Sequence, residues 1–341
     1  MSPGITFDIT FVWAGIIAFA VIMYVLLDGF DLGMGILFPA MRSERERDVA
    51  MNSVAPIWDF NETWLVLGGA GLFGAFPLAY ATLLPAFYLP LLVMLIALVF
   101  RGVAFEFRFK VEKHKPLWSN AFFLGSFFAT FAQGMVLGSF VQGVPVEDRQ
   151  YAGGAFDWLT PFSVTTGVAL VFGYALLGAT WMVAKTGGEL QGWAKRVAIG
   201  LLLAVLVFMG VVSLWVPLMD PKIAERWFSW PNLLYLSPVP LLVAGTAWAL
   251  YAEIRRPRLR RYLPFFLAMG LFLLGFLGLA ISLWPNLIPP EISIYEAAAP
   301  RSSQVFLLIG MLILLPVLLA YVAYTYWVFR GPVGEDEGYH H

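Results

Sequence analysis

Two pairs of carboxylates and one guanidinium interrupt sequence that otherwise suits a bilayer. Asp28 and Asp31 close the run "VIMYVLLDGFDLGMG" (21–35). Asp59 and Glu62 lie in "PIWDFNETW" (56–64), with Trp58, Asn61 and Trp64 beside them. Arg101 ends a third apolar run, just before "GVAFEFR". Each acidic pair is spaced i, i+3, so its members share a helix face. A charge placed in hydrocarbon costs roughly 2.5 kcal/mol or more, and intramembrane carboxylates commonly mark proton or ion routes. One arginine cannot neutralise four carboxylates. Some must be protonated, hydrated or paired with another chain. A blander reading stands beside this one. Asp59 and Glu62 would favour the dipole of a helix N-terminus, where Pro56 suits the first turn. Asp28 and Asp31 would hydrogen-bond a break at the following glycines. Gly29, Gly33 and Gly35 themselves are read as sites of close helix packing.

The elements that must carry these residues are membrane helices. The chain has 341 residues, 60% of them apolar and 13% charged, against about 45–50% and 25% in soluble domains. It is read as one polytopic membrane domain, 1–341, with all-α architecture. Nine runs are long enough to cross a bilayer of the usual thickness: 9–38, 57–80, 82–104, 117–143, 161–184, 197–219, 232–253, 262–284 and 302–330. The nearly continuous stretch 57–104 is divided at "AFPLAYATLLP", where Pro77 and Pro85 bracket a predicted short turn. With the N-terminus outside and the C-terminus inside, seventeen of the 21 Lys and Arg residues fall on the inner side, as the positive-inside rule requires. Trp118, Trp158, Trp215, Trp230, Trp284 and Trp327 stand at span ends as interfacial anchors. This orientation places Asp28, Asp31, Asp59, Glu62 and Arg101 at a similar depth near the cytoplasmic face.

Several chemistries are excluded by residue type. Cysteine is absent, so there is no disulfide, thiolate metal site or cysteine nucleophile. The three histidines are His114, in a charged loop, and His340 and His341 at the end of the sequence. None lies in a span, so bis-His or His/Met ligation of a haem inside the membrane is beyond this chain. A net charge of −1 gives no electrostatic case for nucleic acid. No basic residue precedes the first apolar run, so a retained first helix is expected rather than a cleaved signal peptide. The basic loop "RRPRLRR" (255–261) is read as a topology determinant, with contact to anionic lipid as a second role.

Four motifs carry a family resemblance: "DGFDLGMG" (28–35), "SVAPIWDFNETWLVLGGAGLFGAFPLAYA" (53–81), "FRGVAFEFR" (100–108) and "GSFVQGVP" (138–145). They resemble subunit II of the cytochrome bd-type quinol oxidases, a family that includes cyanide-insensitive oxidases. The last apolar run, "SSQVFLLIGMLILLPVLLAYVAYTYWVFRG" (302–331), resembles that family's final span. The middle, 160–290, matches mainly in hydropathy.

The resemblance implies two four-helix bundles plus one extra helix in the bacterial inner membrane. It implies a complex that oxidises quinol and reduces dioxygen to water. Subunit I would hold two b-type haems and haem d (or b in its place), and a small single-span third subunit would often be present. Subunit II holds no haem by axial ligands of its own; a bound quinone is compatible with the pattern. Proton delivery from the cytoplasm falls partly to subunit II, at positions matching Asp59, Asp28 and Asp31, with Arg101 as electrostatic partner. The role of Glu62 is inferred from its spacing alone. The sequence departs at "IYEAAAPRSSQ" (294–304), where Ala299, Pro300 and Arg301 replace an aspartate common among relatives. Two rival readings remain open on the residues alone: a proton-coupled secondary transporter, and a purely structural partner of a haem subunit.

Overall fold

The computed structural model describes residues 8–111 and 113–333; His340 and His341 lie outside them. The chain begins with α1 (Ile9–Leu37), a 3-10 turn (Phe38–Ala40) and the short helix α2 (Glu44–Asn52). It continues through α3 (Trp58–Ala75), α4 (Pro77–Ala86), α5 (Tyr88–Lys110) and α6 (Lys115–Gln142). Then come α7 (Pro161–Lys185), α8 (Gly188–Met219), α9 (Pro221–Phe228), α10 (Asn232–Leu236) and α11 (Pro238–Arg255). The last helices are α12 (Leu263–Leu283), α13 (Ile294–Ala297) and α14 (Arg301–Val328). Two antiparallel hairpins interrupt the helices: β1 (Val146–Glu147) with β2 (Gln150–Tyr151), and β3 (Asn286–Ile288) with β4 (Ile292–Ser293).

Among the described residues, eight helices are long and apolar enough to cross a membrane. The helix α3, expected as a ninth span, is 18 residues long. Asp59, Asn61 and Glu62 in its first two turns lower its hydropathy and keep it out of the eight. The predicted turn between Pro77 and Pro85 is instead the ten-residue helix α4. Proline at a first helical position forfeits only an N–H that has no partner there anyway. Pro77 therefore starts a helix, and Pro85 sits in its last turn.

The helix α1 is the axis of the assembly. It packs against α3, α6 and α7, and also touches α12 and α14. Every residue from Leu26 to Gly35 is buried, so at this level α1 is enclosed by protein on all sides. Phe30 stacks on Trp181 of α7 with ring centroids 4.4 Å apart, and Phe38 meets Phe122 of α6 edge-on at 5.0 Å. Gly33 and Gly178 let the α1 and α7 backbones approach closely, as small residues do in membranes. A Cβ at Gly178 would stand 2.5 Å from the Gly33 carbonyl carbon. The α5 and α6 helices close in the same way, since a Cβ at Gly125 would lie 2.7 Å from the Ala97 carbonyl oxygen.

The ends of α1 are fixed by polar bonds. Asp8 caps it by accepting from the Phe11 N–H at 3.1 Å, and Tyr295 donates to the same carboxylate at 2.8 Å. These bonds, the Phe11 one first, hold the Asp8 carboxyl below the usual carboxylate range. The contribution is therefore present above the ordinary aspartate range and is lost as pH falls through the lowered value. At the other end Ser43 and Glu46 form a capping box that starts α2. Arg108 of α5, 1% exposed, reaches back to this turn. It donates to Asp48 at 2.6 Å, to Glu44 at 2.9 Å and to Ser119 at 2.9 Å. Its guanidinium lies 5.0 Å from the Phe38 ring centroid. Arg108→Leu would strip two carboxylates of their buried donor. Both acids are partly exposed and would hydrate, so the expected loss is about 2 kcal/mol, read as a lowered Tm of the purified protein.

Candidate functional site

The C-terminal half of α1 carries Asp28 and Asp31, both 0% exposed. Gly29, Gly33 and Gly35 keep the same stretch slim enough for α6 and α7 to enclose it. Asp28 meets the guanidinium of Arg101, which enters from α5. Arg101 Nη1 donates to Asp28 Oδ1 at 2.5 Å, and Nη2 donates to Glu62 Oε2 at 2.7 Å. The arginine side chain is fully buried, whereas that of Glu62 is 26% exposed. One planar fork thus bridges a deep carboxylate and a shallower one, a geometry that a lysine ammonium does not reproduce.

Asp31 is held separately. Asn61 Nδ2 donates to Asp31 Oδ2 at 2.7 Å and to the Leu27 carbonyl at 3.3 Å. Asn61 Oδ1 accepts from the Tyr326 hydroxyl at 2.9 Å. The amide therefore ties α3 to α1 on one side and to α14 on the other. Trp58 stacks on Phe105 with ring centroids 5.0 Å apart and planes 10° from parallel, and Arg101 lies 5.8 Å from its ring centroid. Trp64 is buried and meets Phe19 edge-on at 5.6 Å. These flanking tryptophans form the apolar wall of the cluster.

Of the residues singled out in the sequence, the structure brings Asp28, Asp31, Glu62, Arg101 and Asn61 together. Asp59 stands apart. It is exposed in the first turn of α3, and among the described residues its carboxylate makes no ion pair. It lies one turn ahead of Glu62 at the outer edge of the site. Sequence reasoning passed over Tyr24, Gln133, Tyr174 and Tyr326. Gln133 Nε2 donates to the Tyr24 hydroxyl at 2.7 Å, and its Oε1 accepts from the Tyr174 hydroxyl at 3.0 Å. A lone Gln and scattered Tyr residues in apolar helices carry no spacing signal. The one cue was Tyr24, one helical turn before Asp28.

The cluster is incompletely satisfied by protein atoms. Asp28 Oδ2, Asp31 Oδ1 and Arg101 Nε are buried without a hydrogen-bond partner. Buried polar groups are almost always paired with protein or with ordered water. Three such atoms in one cluster call for partners beyond the side chains around them, of which ordered water is the usual one.

Fold and site define a class: a multi-pass helical membrane protein with a buried carboxylate–guanidinium cluster near one end of its first helices. Comparison with known proteins specifies the class further. Residues 9–329 match the model of cytochrome bd terminal oxidase subunit II, and the chain belongs to that family. It is 27% identical to cytochrome bd-I ubiquinol oxidase subunit 2 of Escherichia coli K12, over 96% of each chain. It is 28% identical to cytochrome bd ubiquinol oxidase subunit 2 of Bacillus subtilis 168, over 95% of this chain and 97% of that one. Its fold resembles a chain of the bd oxidase from Geobacillus thermodenitrificans, with a TM-score of 0.77 at 15% identity, over 94% and 98% of the two chains. The protein is thus a multi-pass subunit of a bacterial inner-membrane oxidoreductase.

Cytochrome bd oxidases carry haem, and the described apolar helices of this chain hold no histidine or cysteine that could bind its iron. Its three histidines all lie outside the apolar helices in sequence, His114 standing at the N-cap of α6. Among the described residues no three His, Cys, Asp or Glu side chains gather as a metal site would need.

Proposed function

We propose that this chain is the haem-free subunit of a bd-type quinol oxidase and that it supplies part of the cytoplasmic proton route. The complex oxidises quinol and reduces dioxygen to two waters, taking up four electrons and four protons. The haems belong to the partner subunit I, which this chain stabilises as a single polytopic domain. Protons arrive from the side that bears Arg108, Lys110, Lys113 and Lys115, the cytoplasmic side by the positive-inside rule. Asp59, exposed at the rim, collects them. Glu62 passes them inward along the Arg101 fork to Asp28, and Asp31 is the second deep acceptor. Arg101 keeps the cluster charged and hydrated, because burying its charge without water or counter-charge is costly.

The observation that carries this reading is the graded burial of the acids on one arginine, from Glu62, about a quarter exposed, to enclosed Asp28. A proton-coupled transporter would instead place such groups at broken helices near the midplane, in paired halves. Here the acids of the cluster come from α1 and α3 alone, and the fully buried ones from α1.

The test is Asp59→Asn in the assembled complex. Losing a collecting carboxylate is expected to slow oxygen consumption and inward-side proton uptake together, by about fivefold, with haem content unchanged. Unchanged rates would remove Asp59 from the route. Loss of haem from the whole complex, in place of slowed turnover, would mark a structural role.

A further inference from the structure

The antiparallel pair α1 and α6 is pinned at two levels. Phe38 meets Phe122, and Gly35 faces Ser126, whose Oγ would lie 2.0 Å from a Cβ on that glycine. Farther up, Tyr24 bonds Gln133. Between these pins, Thr130 of α6 is level with the Asp28–Asp31 turn of α1. Ser126, Thr130 and Gln133 are spaced i, i+4, i+7 and so form one stripe along α6, spanning about 10 Å of helix.

The hydroxyls of this stripe differ from most in the helices, sharing their unpartnered state with Thr82 of α4. Thr166, Thr180 and Thr325, inside their own helices, donate to the carbonyl one turn back at 3.2, 2.9 and 3.0 Å. Ser126 Oγ and Thr130 Oγ1 are buried and have no protein partner at all. Asp28 Oδ2 and Asp31 Oδ1, on the facing turn, share that condition. Four unpartnered oxygens along one helix seam meet the requirement for buried water, which needs two to four polar partners.

We propose that the seam between α1 and α6 holds a file of ordered water, and that this file carries protons from the Arg101 cluster up to the level of Gln133. The proposal rests on the proton-delivery reading above and names the onward segment of that route. The alternative branch is closed chemically. Asn61 donates an amide N–H to Asp31, and amide nitrogens do not give up protons to a carboxylate. Along the seam each transfer breaks one O–H bond of a protonated water and forms one on the next. Each hydroxyl accepts one proton and donates one, and nothing is oxidised or reduced. The upper end reaches Gln133, which is half-buried.

The experiment uses the complete oxidase with its haem-bearing partner. Ser126→Ala and Thr130→Val, singly and combined, remove the hydroxyls with little change of volume, and Thr130→Ser keeps one. The combined variant is expected to lower turnover about tenfold and to raise the solvent deuterium isotope effect, with haem content and the KM for quinol unchanged. Thr130→Ser is expected to restore the rate. Full turnover with an unchanged isotope effect in the combined variant would overturn the seam. Measured beside them, Asp59→Asn and Glu62→Gln separate the two levels. If either acid variant slows turnover while the combined hydroxyl variant does not, the seam fails and the delivery reading stands. If neither acid variant does, both fail. A cryo-EM map of the wild-type complex gives a check independent of assembly. Water density within hydrogen-bond distance of Ser126 Oγ or Thr130 Oγ1 supports the file. A map that resolves water elsewhere in the helical core, but none there, overturns it.

Discussion

Arg101→Gln is expected to prevent stable assembly of the oxidase. The guanidinium is fully buried and bonds Asp28 at 2.5 Å and Glu62 at 2.7 Å. Asp28 already has one oxygen without a partner. Removing the arginine leaves a carboxylate with no counter-charge in the middle of the helix packing. Breaking one side of a buried ion pair costs about 3–5 kcal/mol, a large share of the roughly 5–15 kcal/mol that holds a folded domain together. The expected result is a loss of most haem-containing complex from the membrane and a sharply lowered Tm in what remains. Arg101→Lys should recover only part, since a point charge on a flexible stem does not span two carboxylates as the fork does. Combining Arg101→Gln with Asp28→Asn should recover assembly without recovering turnover, because both changes remove charge together. Normal haem content and Tm in Arg101→Gln alone would show that ionic pairing does not hold the cluster.

How much of this was legible beforehand varies by residue. Asp28, Asp31, Glu62 and Arg101 were grouped by depth, because orientation and span order fix which ends of which helices meet. The different fates of Asp59 and Glu62 were not legible. Three residues on a helix leave an offset of about 60°, enough for one carboxylate to face the Arg101 fork and the other to face outward. Asn61 was named only as a neighbour, and its bridge from Asp31 to Tyr326 depends on how α14 docks, over 260 residues away. Ser126 and Thr130 were invisible. A hydroxyl in an apolar run normally bonds its own helix, and no spacing reveals that these two do not. Arg108 carries no sequence cue to its partners, yet it is buried, because the turn after α1 brings Glu44 and Asp48 over it. The helix α4 reads as a turn in sequence because proline marks both a turn and a helix start, and composition alone does not separate the two.

Gly33→Ala is expected to be the most damaging single methyl group in the protein. A Cβ there would stand 1.8 Å from the Tyr174 carbonyl oxygen, 2.5 Å from its carbonyl carbon and 2.9 Å from the Gly178 nitrogen. All three are backbone atoms of α7, so no side-chain rotation relieves the overlap and the two helices must separate. Overpacking a core costs about 1–3 kcal/mol and more where the backbone must move. Separation would also act on the site, since Asp31 lies two residues from Gly33 and Tyr174 belongs to the opposing contact. The expected outcome is a lowered Tm with slowed turnover in whatever complex survives. The same helix supplies its own control. Gly15 has nothing within 4 Å of its would-be Cβ, and alanine is about 1 kcal/mol better than glycine in a helix interior. Gly15→Ala should therefore leave turnover unchanged and hold or raise Tm. If the two substitutions behave alike, the α1–α7 contact tolerates a methyl group, and the close approach of these helices is not what encloses Asp28 and Asp31.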